Sequence, residues 1–552
     1  MHSSINRKMI EKSGLQLSGK QLIPLVFVFF LTINLVTGGG HLDTWDGIEA
    51  FLVTESMVLK HTAKLDPTVP SVNNLHFNVR YTVYSSKQNN APPGKYFDQF
   101  KMPLEPVYTV RSLLISAIAV PFYYAALFFS APPISVIGLF VNSLLISLTS
   151  LVIFCFSLEI YRSKKIAFAL SLIFSVCSFV WPYQNSLWAM PLQALTLITA
   201  AFFIYKSIHP ESPYLVRTKE YRQGLRSNRS KGIYFSGLGG LFLGLSVFAH
   251  PTSIILIPAF VIYSILYMRK NRKTLFSFLI ALGITLSFMG LVNYWRFGSF
   301  TQFGYGYFSS LATHNGWRGL IGLLISPGAG LFIYFPTAIL LPLAGKYMYK
   351  ENKSLFLLFL YVIFANWIDV GTLSFNFEPF SWWGTGWGPR YLVAILPFIT
   401  IILGSLLVHS TRRSILKISI IALSVAGFYI NFIGTLVWWQ YGIVYASQQE
   451  NLWNKDPWNL IIWNPYYSPI VLHTKMLATD FISHINPERY INTGWNWITY
   501  SLAPCSYDLY IFCKGGITPV ILLLAAIGVL GLIILREIGV FFRRPTKSVY
   551  NR

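Results

Sequence analysis

The stretch HLDTWDGIEAF (41–51) carries three acids, Asp43, Asp46 and Glu49, at three-residue spacing. On a helix starting near residue 46, Asp46 and Glu49 lie one turn apart and can face the same way, with Asp43 ahead of the turn. Carboxylates gathered on one face suit general-base work or a shared cation, because like charges held close repel. The same pattern fits a capping box, with Asp46 as N-cap and Glu49 three positions on, which needs no catalysis. A second stretch, PPGKYFDQFKMPLEP (92–106), supplies Lys101, able to hold a phosphate as a point charge or to snorkel at a helix end. A third, SWWGTGWGPRYL (381–392), alternates glycines with Trp382, Trp383 and Trp387 and leads to Arg390 at the start of an apolar run. A guanidinium offers phosphate a permanently charged planar fork, and the rings can stack on a sugar or prenyl chain. Tryptophans at that height also occur simply as a membrane belt.

The elements that must position these residues are membrane helices. Of 552 residues, 54% are hydrophobic and 11% charged, which argues against a soluble globular domain. Apolar runs long enough to cross a bilayer recur at 22–37, 111–130, 134–158, 166–183, 190–207, 233–249, 252–268, 274–295, 331–345, 354–371, 391–410, 415–438 and 517–535. Basic clusters separate them, at 7–20, 162–165, 206–231, 269–273, 346–353, 411–417 and after Arg536. If all thirteen runs crossed, the N-terminal cluster would face the opposite side from the rest. If 111–130 lies at the interface instead, all seven clusters share one side, as the positive-inside rule prefers. On that topology 29 of the 43 Lys and Arg and 6 of the 20 acids are cytoplasmic, so the net charge of +23 resides there. The charge therefore reports topology, not nucleic-acid binding.

The expected fold is an all-α polytopic membrane protein of about twelve transmembrane helices with an interfacial helical first outer loop. Residues 1–20 form a cytoplasmic N-terminus, and 21–438 a multi-spanning core whose first outer loop is 38–133. Residues 439–516 are an outer-face segment, and 517–552 the last helix and a basic cytoplasmic tail. Cys505 and Cys513 share the last outer loop, where a disulfide is open as an alternative to free thiols. The middles of the expected spans are nearly free of ionisable residues, apart from Asp369 near an outer end. A transporter would be expected to place charge there.

Four stretches resemble the membrane glycosyltransferases of the GT-C fold, specifically the bacterial and archaeal relatives of dolichyl-phosphate-mannose protein mannosyltransferases. They are HLDTWDGIEAFLVTESMVL (41–59), LLISPGAGLFIYFP (323–336), SWWGTGWGPRYL (381–392) and IIWNPYYSPIVLH (461–473). The resemblance implies a polyprenyl-phosphate sugar donor, chemistry at the extracytoplasmic face of the plasma membrane, and a protein, lipid or glycan acceptor. It also implies that the helical region after the first loop lies partly along the interface. Two departures stand out: DQFKMPLEP (98–106) replaces a Gly-rich turn, and His250 in FAHPTS stands where many relatives place an Arg before proline.

On this reading Asp46 is the general base, with Asp43 as alternate and Glu49 orienting it or helping to hold a metal. Arg390, aided by Lys101 or Arg318, stabilises the phosphate, Trp382, Trp383 and Trp387 stack on sugar or lipid, and the reaction inverts the anomeric carbon. No cofactor is required, although a divalent cation, magnesium or manganese, is compatible with close acids. The outer segment 439–516, rich in rings, is expected to select the acceptor. Two other function classes fit a polytopic chain, a lipid-linked glycan flippase or transporter and a non-catalytic membrane scaffold; within the enzyme class, a glycan polymerase or ligase would use a pyrophosphate-linked donor.

Overall fold

In a bilayer a backbone segment can satisfy its polar groups alone only as a helix, and all thirteen apolar runs are helical over most of their length. The computed structural model describes residues 19–42, 44–71, 81–84, 96–99, 106–210, 225–303, 316–372, 383–384, 386–410, 414–437, 439, 457–479 and 510–539. Among these, nine helices are long and apolar enough to cross a membrane. The other runs are shorter or broken: Gly19–Val36, Leu113–Phe128, Lys164–Cys177, and a segmented stretch of Leu331–Tyr334, Pro336–Leu340 and Leu341–Glu351. The chain is thus a helical polytopic membrane protein. One departure from an all-helical expectation is a small antiparallel ribbon in the first loop, Tyr81–Tyr84 against Tyr96–Gln99, with Tyr81 opposite Gln99. The Cys505–Cys513 pairing lies outside the described residues.

Contacts between helix ends gather, at one end of the bundle, described helix ends that adjoin basic clusters. Lys206 Nζ meets Glu159 Oε1 at 3.0 Å, tying the end of Ala189–Ile208 to that of Pro133–Tyr161. Tyr161 donates its hydroxyl to Ile401 O, Ser405 donates to Ala344 O, and His409 Nε2 lies 3.6 Å from Glu351. Leu22 and Ile534 share a core with Phe154 and Phe168, so the first helix begins where the last one ends. Arg390 opens a span running to His409, which puts it at the opposite end of the bundle.

The segment 111–130 folds as Leu113–Phe128, sixteen residues capped by Ser112, whose hydroxyl accepts from Leu114 N. At 1.5 Å per residue this reaches about 24 Å, short of the ~30 Å hydrocarbon core. The helix is bound instead to Trp45–Leu59. Ser116 donates to Ala50 O at 2.9 Å, Thr54 donates to Ser116 O at 3.1 Å, and Tyr123 donates to the buried Glu55 at 3.0 Å. Glu55 also accepts from Ser71 Oγ at 2.9 Å. This pair of helices is the platform that carries the acids.

Candidate active site

The helix bearing the acids begins at Trp45, one residue earlier than the spacing suggests, because Thr44 caps it. Thr44 is extended (φ −143°, ψ 155°) and its side chain accepts from Gly47 N. The capping-box reading of Asp46 and Glu49 is therefore corrected: a threonine does that work and leaves both acids available. Gly47 is required by a close approach, since a Cβ there would stand 2.6 Å from Ser186 Oγ and 3.3 Å from Leu187 N. The helix start thereby rests on the segment leading to Trp188.

Asp46 bridges two arginines from distant parts of the chain. One carboxylate oxygen meets Arg111 Nη2 at 2.5 Å, and the other pairs with Arg390 Nη2. The Asp46 side chain keeps 18% of its surface exposed, enough to be reached by a substrate. Glu49, one turn on, is fully buried and accepts from Arg111 Nε at 2.9 Å. Burial pushes the Glu49 carboxyl above its ordinary range, and Arg111 opposes the shift. Arg296 donates to the carbonyls of Thr109 and Arg111 at 2.6 and 2.9 Å, fixing the backbone that presents Arg111.

Arg390 is held as firmly on its other side. Its Nη1 donates to Gly384 O at 2.7 Å, and its guanidinium lies 4.0 Å from the centroid of the Trp188 ring. The loop before it turns through two positive-φ glycines, Gly384 (φ +76°) and Gly388 (φ +68°), a conformation that side chains resist. His250 is nearby, half-buried, with Nδ1 2.8 Å from Thr252 Oγ1. Its pKa is lowered to about 4 by burial and by the charge of Arg111, so it is neutral at ordinary pH.

The four quoted stretches converge here. Gly328 N, in the Ser-Pro-Gly turn, donates to Ile462 O at 3.0 Å. Tyr334 packs edge-on against Trp387 at 5.4 Å, and Trp387 meets His473 at 4.8 Å. Tyr183 donates to Trp387 O at 3.1 Å. The late stretch and the Ser-Pro-Gly turn thus form the wall behind the Arg390 loop, while the first stretch supplies the acid in front of it.

Trp383 and Trp387 do not fit the stacking role expected of them. They are 0% and 2% exposed, and their rings face Trp439, Trp458, Tyr334 and His473. A ring burying about 150–250 Å² contributes about 4–6 kcal/mol at ~25 cal/mol per Å², so these two anchor the loop and leave no face for a ligand. Arg318 is seated over the Trp463 ring, 5.8 Å from its centroid, in the late segment. Asp43, Lys101 and Trp382 lie outside the described residues. Sequence reasoning missed Arg111, Arg296 and Trp188. The two arginines share one legible signal with Arg390: each stands at an end of an apolar run.

The acid oxygens are faced by guanidinium groups, and among the described residues no group of three His, Cys, Asp or Glu side chains stands close enough to hold a metal ion. Asp46 and Glu49 are instead paired with Arg111 and Arg390.

No protein-family model matches the chain, and no curated protein matches it. Solved structures do. The oligosaccharyltransferase AglB from Archaeoglobus fulgidus, in complex with an inhibitory peptide and a dolichol-phosphate, is 10% identical, with a TM-score of 0.42 over 82% of this chain and 60% of that one. The Archaeoglobus fulgidus oligosaccharyltransferase in complex with Zn and sulfate is 12% identical, at 0.42 over 80% and 58%. ArnT from Cupriavidus metallidurans bound to undecaprenyl phosphate is 13% identical, at 0.41 over 94% and 76%. The chain spans about three-fifths of the length of the oligosaccharyltransferase it matches.

Proposed function

We propose that the protein is a membrane glycosyltransferase that moves a sugar from a polyprenyl-phosphate donor to a protein, lipid or glycan acceptor at the extracytoplasmic face. The observation that carries this reading is the Asp46 carboxylate between Arg111 and Arg390, at the bundle end opposite the basic clusters. An acid and two fixed guanidinium groups at one membrane-level point are the parts such a transfer needs. The convergence of the four family-like stretches on that point supports it further.

In the proposed reaction Arg390 and Arg111 hold the donor phosphate. The acceptor oxygen attacks the anomeric carbon from the face opposite the phosphate, so the configuration inverts. The bond from that carbon to the phosphate oxygen breaks with its electron pair, leaving a polyprenyl phosphate whose added charge the guanidinium groups stabilise. The acceptor proton passes to Asp46, a contribution of roughly 10²–10⁴-fold. Glu49 positions Arg111. The basic end of the bundle faces the cytoplasm, with both termini there, and the outer segment 439–516 selects the acceptor. Asp43 is the alternate base, and Lys101 or Arg318 aids Arg390 at the phosphate.

The test uses membranes containing the wild type or Asp46→Asn, a panel of labelled polyprenyl-phosphate sugars and a native membrane extract as acceptor. Consumption of one donor by the wild type alone establishes the transferase and identifies its sugar. Equal consumption by both removes Asp46 from the chemistry. Consumption by neither moves the transporter and the pyrophosphate-dependent polymerase ahead.

A further inference from the structure

The carboxylate of Asp46 touches Arg111 with one oxygen and Arg390 with the other, which is how two oxygens of a phosphate would sit between the same two groups. We infer that Asp46 occupies the phosphate seat as an internal stand-in for the donor, and that the arriving lipid phosphate displaces it and so releases it to act as base. This rests on the transferase reading and adds an order of events to it.

Two features support displacement over simple crowding. Each guanidinium has a second hold that does not involve Asp46: Arg111 on Glu49 Oε2 at 2.9 Å, and Arg390 on Gly384 O at 2.7 Å and the Trp188 face. Both therefore stay in place when the carboxylate leaves. Finally, Asp46 lies in the first helical turn with part of its surface exposed, while Glu49 is sealed. Of the two acids only Asp46 has somewhere to go.

The consequence is donor-first order. Without a donor, both oxygens of Asp46 are engaged and an acceptor hydroxyl meets no available base. With the phosphate seated, the carboxylate turns out beside the anomeric carbon. The proton of the acceptor then goes to a group that became available only because the leaving group was already bound.

This makes a signed prediction, because an Asp46 that merely ordered the arginines would help the ligand bind. Sugar-free polyprenyl phosphate is titrated into the full-length protein in detergent, followed by intrinsic tryptophan fluorescence. Asp46→Asn should bind it about 10-fold or more tightly than the wild type, since a competing charge-assisted contact is gone, and should transfer no sugar. Asp46→Ser carries the same test if the amide disturbs the helix start. Binding by the wild type with no gain, or a loss, in the two neutral variants overturns the displacement and leaves the transferase standing. Absence of binding in all three proteins overturns both.

Discussion

Asp46 and Arg390 are 344 positions apart in the chain and in direct contact. The contact joins the first-loop helix to the start of a late span, so anything that moves either element should register in the chemistry. Arg111 gives the first test. Its Nε–Glu49 and Nη2–Asp46 contacts use two nitrogens of a planar fork, which an ammonium cannot reproduce. Arg111→Lys is expected to cost about 10²-fold in kcat/KM for the donor, or ~3 kcal/mol. Steady-state rates with the identified donor would settle it, and a change under threefold would remove Arg111 from the site.

The buried tryptophans separate anchoring from ligand stacking. Trp387→Ala is expected to destabilise the protein by about 3–5 kcal/mol, the usual cost of truncating a core aromatic. Thermal unfolding in detergent reads this directly. A weakened donor KM with an unchanged unfolding temperature would reinstate a ligand-facing ring.

Acid should weaken the fold through two histidines. His473 is buried and His250 half-buried, and desolvation lowers each pKa from 6.5 to about 4. Between those values the unfolded chain binds more protons, so stability is present above pH 6.5 and is lost as pH falls toward 4. Each contributes up to about 3 kcal/mol over that window. Unfolding temperatures at pH 7 and pH 5 should differ, and His473→Gln should flatten the dependence. An unaltered pH slope in His473→Gln would mean that His473 is not held neutral against Trp387.

Glu55 works with the opposite sign. Burial raises its carboxyl, against hydrogen bonds from Ser71 and Tyr123. An acid raised in the folded state stabilises it below the ordinary carboxylate range, and that contribution is lost as pH rises through the raised value. Glu55→Gln keeps the acceptor oxygen and removes the charge, so its stability should decline less with pH above about 4.5 than that of the wild type. Parallel pH curves for the two proteins would refute the assignment.

Much of this architecture is legible in the sequence because burial in lipid writes itself as composition. The thirteen apolar runs needed no tertiary information, and Asp46 and Arg390 stand out as charges at the edges of apolar segments. Arg111 and Arg296 carry the same mark but sit among apolar neighbours, where a lone arginine reads as a snorkelling residue. Trp383 and Trp387 are harder. Rings alternating with glycines suit a ligand platform and a tightly turned core loop equally, and the choice depends on Tyr334, Trp439 and His473, which arrive from elsewhere in the chain. The cap at Thr44 turns on one backbone conformation that spacing does not encode.

Gly47 offers the most local test of how the site is held together. A methyl added there would meet Ser186 Oγ at 2.6 Å and Leu187 N at 3.3 Å, and backbone cannot retreat as a side-chain tip can. Gly47→Ala should therefore lift the helix start from the segment carrying Trp188, the ring beneath Arg390, and separate Asp46 from its partner. Activity is expected to fall about 10²-fold, as for a misplacement of roughly 1 Å, with helix propensity itself improved by the alanine. Removing the hydroxyl with Ser186→Ala takes away the closer clash but not the Leu187 contact. The double variant should recover part of the lost activity, and the coupling between the two sites should be about 0.5–3 kcal/mol. Strict additivity would show that the helix start is not held by this approach, and that Asp46 is positioned by its arginines alone.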